Sequence, residues 1–185
     1  MIESVSLHQD AGTLALVDRS VAGDEQAQAA LYRAYIDTVY RLALWLLGEP
    51  SEAEEVAQDA FVRAFRALGR YDPARASLGA WLRAITLNCC RNARRRRRFV
   101  QVPWESVAEH VALHVDPGPD ADLRQVLWAG LGRLSEKQRT ALVLRYFEGL
   151  SYAEIAETLD CPVGTVASRV GEGLAALRRL LEGNP

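Results

Sequence analysis

Ser51-x-x-Glu54, Ser135-x-x-Gln138 and Ser151-x-x-Glu154 each place a serine three residues before Glu or Gln, close to a glycine or proline or at the head of an apolar pattern. At that spacing the hydroxyl can accept a hydrogen bond from an unpaired N–H in the first turn of a helix. The later side chain reaches back to the serine N–H. Stop signals accompany these starts: Gly48 with Pro50, Gly69 with Pro73, and Gly149 before Ser151. A glycine takes the left-handed conformation that closes a helix, and a proline cannot continue one. Strand signals are nearly absent. The chain is therefore expected to fold as helices only, at roughly 24–47, 52–68, 78–98, 122–132, 136–148, 152–159 and 164–182.

The stretch 99–121 contains Pro103, Pro117 and Pro119 and has no clear period, so it reads as a linker with one short helical piece at most. The expected fold class is all-α: two small helical domains joined by a flexible linker, the second a helix-turn-helix. The domains are 24–99 and 122–185, the linker is 100–121, and residues 1–23 form an N-terminal extension open to mobility, since 1–20 show no strong pattern. No internal repeat is visible. Of the 185 residues 49% are hydrophobic, enough for packed cores. No apolar run approaches the ~20 residues needed to span a membrane, and MIESVSLHQDAG lacks the basic start and apolar middle of a secretory signal. The expected location is the cytosol, without membrane insertion. Cys89, Cys90 and Cys161 have no paired CxxC spacing and read as small buried thiols.

A net charge of −2 conceals a steep asymmetry. Residues 1–59 hold three Arg and eleven acids, 60–99 hold eleven Arg and one Asp, 100–121 hold four acids and no base, and 122–185 hold eight of each. The middle segment carries the electrostatic footprint of a nucleic-acid binder. It ends in Arg91 and Arg94, Arg95, Arg96, Arg97 and Arg98 on one helix with Trp81 and Asn88. Successive Arg surround a helix on every side, and with Phe65, Tyr71, Trp81 and Phe99 nearby the segment suits phosphate binding and base stacking. A solvated basic helix end, favourable to the helix dipole, is the plainer reading.

Residues 151–181 give the strongest local signal. Ile155, Ala156 and Leu159 form one apolar face on a short helix, and Asp160-Cys161-Pro162 breaks it. A second helix then presents Val166, Val170, Leu174, Leu177 and Leu181 as one stripe. This is the layout of a helix-turn-helix, whose second helix enters the major groove. Thr165, Ser168, Arg169 and Glu172 would face the groove, where Arg can read guanine through two bonds and Ser or Thr can bond bases or phosphates. A plain αα-hairpin with a solvated polar face is the competing reading.

The segments SEAEEVAQDAFVRAFRAL (51–68), RYDPARASLGAWLRAITLNCCRNARRRRR (70–98) and LSEKQRTALVLRYFEGLSYAEIAETLDCPVGTVASRV (134–170), in this order, resemble bacterial RNA polymerase sigma factors of the extracytoplasmic-function type over about residues 24–183. The resemblance implies an initiation factor that binds core polymerase, directs it to the −10 and −35 promoter elements and helps to melt the −10 region. Residues 24–99 would be sigma region 2 and 122–185 sigma region 4. It implies that Glu55, Gln58, Asp59 and Phe61 dock on the polymerase clamp, and that Leu142, Tyr146 and Phe147 pack on the flap. Asn88 and the Arg run would read the −10 element, with Tyr71, Arg75 and Ser77 at the pocket edge for a flipped base. Thr165, Ser168, Arg169 and Glu172 would read the −35 element. Partners would be core polymerase, double-stranded and melted promoter DNA, and an anti-sigma factor. No cofactor, metal or catalytic residue is implied.

The chain departs from the family pattern at several positions. Ala167 stands where a basic residue is frequent, Glu172 where Arg is frequent, Leu78 and Ala80 where an aromatic and a Thr are frequent, and Asp160 where Gly is frequent. Asp tolerates a left-handed backbone, so the turn should survive. Glu172 either repels phosphate or accepts a bond from a cytosine amine. With charge balanced over 122–185, the second domain is expected to bind DNA poorly unless polymerase holds it in place. The acidic linker, with Glu105, Glu109, Asp116 and Asp120, reads either as a polyanion lying in the RNA path or as a plain tether. An enzyme is disfavoured, since there is no Gly-rich phosphate loop and no nucleophile elbow. A metal site from His110 and His114 with Cys89 and Cys90 competes with an ordinary linker pair, and His8 lies apart. An ordinary helix-turn-helix repressor would have no need of the separate basic domain.

Overall fold

A computed structural model describes residues 11–97 and 121–182. The described residues are helical apart from short connections, and they form two compact units. The first holds α1 (Ala11–Val21), α2 (Glu25–Leu47), α3 (Pro50–Ala67), a 3-10 turn (Leu68–Arg70) and α4 (Leu78–Arg97). The second holds α5 (Ala121–Arg133), α6 (Glu136–Tyr146), α7 (Tyr152–Leu159) and α8 (Val163–Glu182). The linker acids and Arg98 lie outside the described residues.

In the first unit α2 packs against both α1 and α4. Its second half is buried almost all round, at Leu42, Ala43, Leu44, Leu46 and Leu47. Helix α3 buries Ala53, Ala57, Ala60 and Ala64 on one stripe with Val56 and Phe61; small side chains there allow close approach to neighbouring helices. Asp24 starts α2: its Oδ1 accepts the N–H of Gln26 (2.9 Å) and of Ala27 (3.1 Å), and its Oδ2 accepts from the Arg19 guanidinium of α1 (2.6 Å). The Arg19 bond, more than the backbone donors, holds the Asp24 carboxyl below its ordinary value.

Two sequence expectations are corrected here. Residues 11–21, without a strong pattern, form α1, which packs on α2 and the 3-10 turn. Only Val17 and Ser20 are buried in it, so its apolar face is too short to be read as a period. Helix α3 begins at Pro50, so Ser51 lies inside the first turn and not ahead of it. Proline is preorganised for the first helical position, where its missing N–H costs nothing.

In the second unit the other two capping boxes form as read. Ser135 and Gln138 start α6, and Ser151 and Glu154 start α7. Asp160 ends α7 in the left-handed region, with φ 48° and ψ 59°. Helix α6 stops at Tyr146, before the expected 148. The N–H groups of Phe147 and Glu148 both donate to the Val143 carbonyl, and Gly149 (φ 70°) turns the chain. Helix α8 packs on α5, α6 and α7, around Trp128, Leu131, Leu142, Leu144, Ile155 and Val166. The apolar stripe of α8 departs from the expected one, since Leu174 is 42% exposed while Val166, Val170 and Leu177 are buried. At 100° per residue, Gly173 lies nearer the centre of that stripe than Leu174. A Cβ there would come within 2.9 Å of Leu142 Cδ1, so the missing side chain lets α8 lie close against α6.

Arg139 is buried on α6, and it completes α5. Its guanidinium donates to the carbonyls of Leu131 (2.7 Å), Gly132 (2.9 Å) and Leu134 (3.3 Å). The Leu131 carbonyl also accepts the Leu134 N–H at 3.2 Å, and the guanidinium adds donors here, where intrahelical N–H groups run out.

Candidate nucleic-acid interface

On α4 the buried stripe of Leu78, Leu82, Thr86, Cys89 and Cys90 fixes which face looks outward. Thr86 is wholly buried, and its hydroxyl donates to the Leu82 carbonyl at 2.8 Å. Burial raises the Cys89 thiol, opposed by Arg63, so Cys89 is a packing residue in its neutral form. The outward face carries Asn88, Arg91 and Arg95, all exposed, at the i, i+3, i+7 spacing of one helix side. Arg91 Nη1 donates to Asn88 Oδ1 at 3.1 Å, which orients the amide. Arg96 is exposed and Arg94 half-buried. The side chain of Arg97 is not among those described.

The loop before α4 is built by short-range polar bonds. Asp72 Oδ1 accepts the Ala74 N–H (2.9 Å), and the Arg75 N–H donates to the Asp72 carbonyl (3.2 Å). Ser77 caps α4, its Oγ accepting the Ala80 N–H at 3.2 Å. The Tyr71 hydroxyl donates to the Ala76 carbonyl at 3.0 Å, and its ring lies 5.3 Å from that of Trp81 at 48°. Partial burial, then Tyr35 and Asp72, push the Tyr71 phenol up. Loop and helix face thus bring Tyr71, Arg75, Ser77, Trp81, Asn88 and the basic end of α4 into one unit, with Arg75 exposed at the loop.

On α3, Glu55 and Gln58 are exposed and Asp59 is half-buried, 3.9 Å from Arg63 one turn on. Val62 shares their side of the helix and is itself exposed. Phe61 does not belong to this face: it is 4% exposed, with its ring 4.7 Å from Tyr32 and 5.9 Å from Phe65. Leu142 is likewise a core residue, 2% exposed against Gly173. Both were expected to touch polymerase and are withdrawn as surface contacts. An apolar residue inside a motif reads alike whether it faces the core or a partner. Tyr146 is exposed and Phe147 half-buried. The alternative metal site loses its thiols to the core, while His8, His110 and His114 lie outside the described residues.

In the second unit the start of α8 and the start of α6 line an open groove of about 510 Å³ with Lys137, Gln138, Thr165, Ser168, Arg169 and Glu172. Ser168 Oγ donates to Glu172 Oε1 at 2.7 Å, and Gln138 Nε2 donates to Glu172 Oε2 at 3.2 Å. Arg169 Nη1 lies 3.5 Å from Cys161 Sγ in the turn. Gln138 and Lys137 were not among the expected site residues. Gln138 showed only as a cap, because the residue that its other end meets is 34 positions away.

The sequence matches the Sigma-70 region 2 family over residues 31–100 and the Sigma-70 region 4 family over 124–177. It is 35% identical over 179 residues to the RNA polymerase sigma-H factor of Pseudomonas aeruginosa, covering 90% of this chain and 92% of that one. It is 31% identical over 171 residues to the ECF RNA polymerase sigma factor SigW of Bacillus subtilis, covering 86% and 91%. The chain belongs to the ECF sigma factors. As an ECF sigma factor it acts with core RNA polymerase in promoter-directed transcription initiation. The fold agrees: CnrH, solved in complex with the cytosolic domain of CnrY, superposes with a TM-score of 0.68 at 25% identity, over 95% of this sigma factor and 100% of CnrH. The sigma factor RpoE of Bartonella quintana, solved with the anti-sigma factor NepR, gives a TM-score of 0.65 at 24% identity over 85% and 98%. No helix among the sigma factor's described residues is long and apolar enough to cross a membrane.

Proposed function

We propose that this sigma factor reads the −10 element with α4 and the 70–77 loop, reads the −35 element with the start of α8, and docks on polymerase through the exposed side of α3 and through Tyr146 and Phe147. The observation that carries this reading is the outward face of α4. There an amide and a row of cations stand exposed on one helix side, and a loop braced by the Tyr71–Trp81 pair precedes them. Cations on phosphates give affinity without sequence preference, whereas an amide can bond a base edge in two directions. Asn88 is therefore the base reader, and Arg91, Arg95 and Arg96 are backbone binders. The protein works by binding and not by catalysing a reaction, in the cytosol where core polymerase is. The sigma factor RpoE, of this fold, was solved in complex with the anti-sigma factor NepR, and this one is likewise bound by an anti-sigma factor.

Run-off transcription with core polymerase, followed by sequencing of the 5′ ends, tests the reading: defined start sites sharing −10 and −35 sequences are expected. The double variant Glu55→Lys, Asp59→Lys reverses charge on the docking side of α3 and should weaken capture of core polymerase about tenfold, because rim charges steer association. Unchanged capture would remove α3 from the docking surface.

A further inference from the structure

Glu172 stands at the centre of a hydrogen-bond relay that joins two helices of the second unit. Gln138 uses the carbonyl end of its amide on the cap of α6: its Oε1 accepts the Ser135 N–H at 3.2 Å and the Ser135 hydroxyl at 2.8 Å. A backbone N–H can only donate, so the oxygen must face Ser135 and the NH2 group must face the Glu172 carboxylate. Gly173, with no side chain against Leu142, gives the close approach that makes this reach possible. The second carboxylate oxygen accepts from Ser168, one turn back on α8. Hydrogen bonds from Ser168, then Gln138, hold the Glu172 carboxyl below its ordinary value, so it stays ionised and accepts only.

A serine hydroxyl has one proton and two lone pairs. At 2.7 Å from an ionised carboxylate, the Ser168 proton is committed to Glu172 by a charge-assisted bond. What Ser168 turns toward the groove is then its lone pairs. We infer that Glu172 is a positioning residue that makes Ser168 an acceptor, so that the start of α8 selects a base with an exposed amine. In the major groove only cytosine N4 and adenine N6 offer one, while guanine and thymine edges would meet lone pairs with lone pairs. The carboxylate thus neither simply repels DNA nor reads the base itself; it sets the polarity of the neighbour that does. This inference rests on the reading of α8 as the −35 helix.

The test is transcription by core polymerase with the full-length protein, from a promoter library randomised through the −35 element. It compares the unaltered chain, Glu172→Ala, Ser168→Ala and the double variant. The unaltered chain should prefer cytosine or adenine at one position. Glu172→Ala frees the Ser168 proton and should cut that preference roughly tenfold, in keeping with the worth of one good base contact. Ser168→Ala should cut it as much, and adding Glu172→Ala to Ser168→Ala should change nothing further at that position. Both side chains are exposed, so the variants should fold and unfold cooperatively, with at most a small drop in midpoint from the lost tie to Gln138. A general gain across the library with preference unchanged would make Glu172 merely repulsive and overturn the inference. So would a loss of preference on Glu172→Ala that persists in the Ser168→Ala background, since Glu172 would then read the base directly. If the unaltered chain shows no preference anywhere in the −35 element, the assignment of α8 fails instead.

Discussion

Helices α4 and α8 hold their polar side chains in different states. On α4, Arg91, Arg95 and Arg96 project into solvent, and Asn88 is oriented by Arg91 on its own helix. On α8, Ser168 and Glu172 are bonded to each other and to Gln138 of α6, and Arg169 rests against Cys161 of the turn. Exposed cations attract a polyanion at range and are screened by salt. Groups already fixed by neighbours contribute little at range, but they lose less freedom on binding and present one defined pattern of donors and acceptors. The cations of α4 are thus suited to supply affinity, and the fixed groups of α8, like Asn88 on α4, to supply selection. Arg139, the buried cation on α6, sharpens the contrast, because its charge serves the fold and not the ligand.

The largest effect expected is at that buried cation. Arg139→Met keeps an unbranched apolar stem and removes the guanidinium, leaving the Leu131, Gly132 and Leu134 carbonyls without its donors. The second unit should lose on the order of 3 kcal/mol, seen as a lower denaturation midpoint for residues of α5 to α8, with the first unit's midpoint unmoved. If the midpoint of the second unit does not shift, the guanidinium is not closing α5.

On α4 the same chemical change should have the opposite signature. Arg95→Ala with Arg96→Ala should leave unfolding unchanged and weaken holoenzyme binding to every promoter about tenfold. The dependence of log affinity on log salt should become shallower by about 2, one for each lost phosphate contact. A loss confined to some promoters would contradict the division between affinity and selection. Asn88→Ala should cost several-fold at a single −10 position and little elsewhere. Arg91→Ala should blunt the same position, since it removes the bond that aims the amide; library transcription measures both.

The smallest effect concerns pH. The folded-state value of Glu172 is depressed from an ordinary 4.5 by Ser168 and then Gln138. Its tie between α6 and α8 is therefore at full strength above 4.5 and is lost as pH falls through the lower folded value. Carboxyl-resolved NMR should place the midpoint of Glu172 below 4.5, and Ser168→Ala should bring it upward. A midpoint indifferent to Ser168 would remove the hydrogen bond on which the selectivity of α8 rests.

Local chemistry made much of this legible in the sequence. The boxes at Ser135 and Ser151 involve partners three residues apart, so composition and spacing determine them. The left-handed turn at Asp160 and the helix Tyr152–Leu159 follow for the same reason. The run of Arg on α4 is basic wherever it is placed. The sequence also determined the family, because three motifs in fixed order carry it. What the sequence could not decide is which side of an apolar motif is covered. Phe61 and Leu142 read as contacts and are core, and Leu174 reads as core and is exposed. Burial depends on what lies across the helix, and neighbours in space are distant along the chain. Helix α1 escaped notice because only packing on α2 and the 3-10 turn gives its short apolar face something to cover. The role of Glu172 was open between repulsion and base reading because one of its two donors, Gln138, is 34 residues away. Only the close crossing of α6 and α8 at Gly173 brings the two side chains within hydrogen-bonding distance. A hydrogen bond is decided by ångströms, and ångströms between helices are set by tertiary packing.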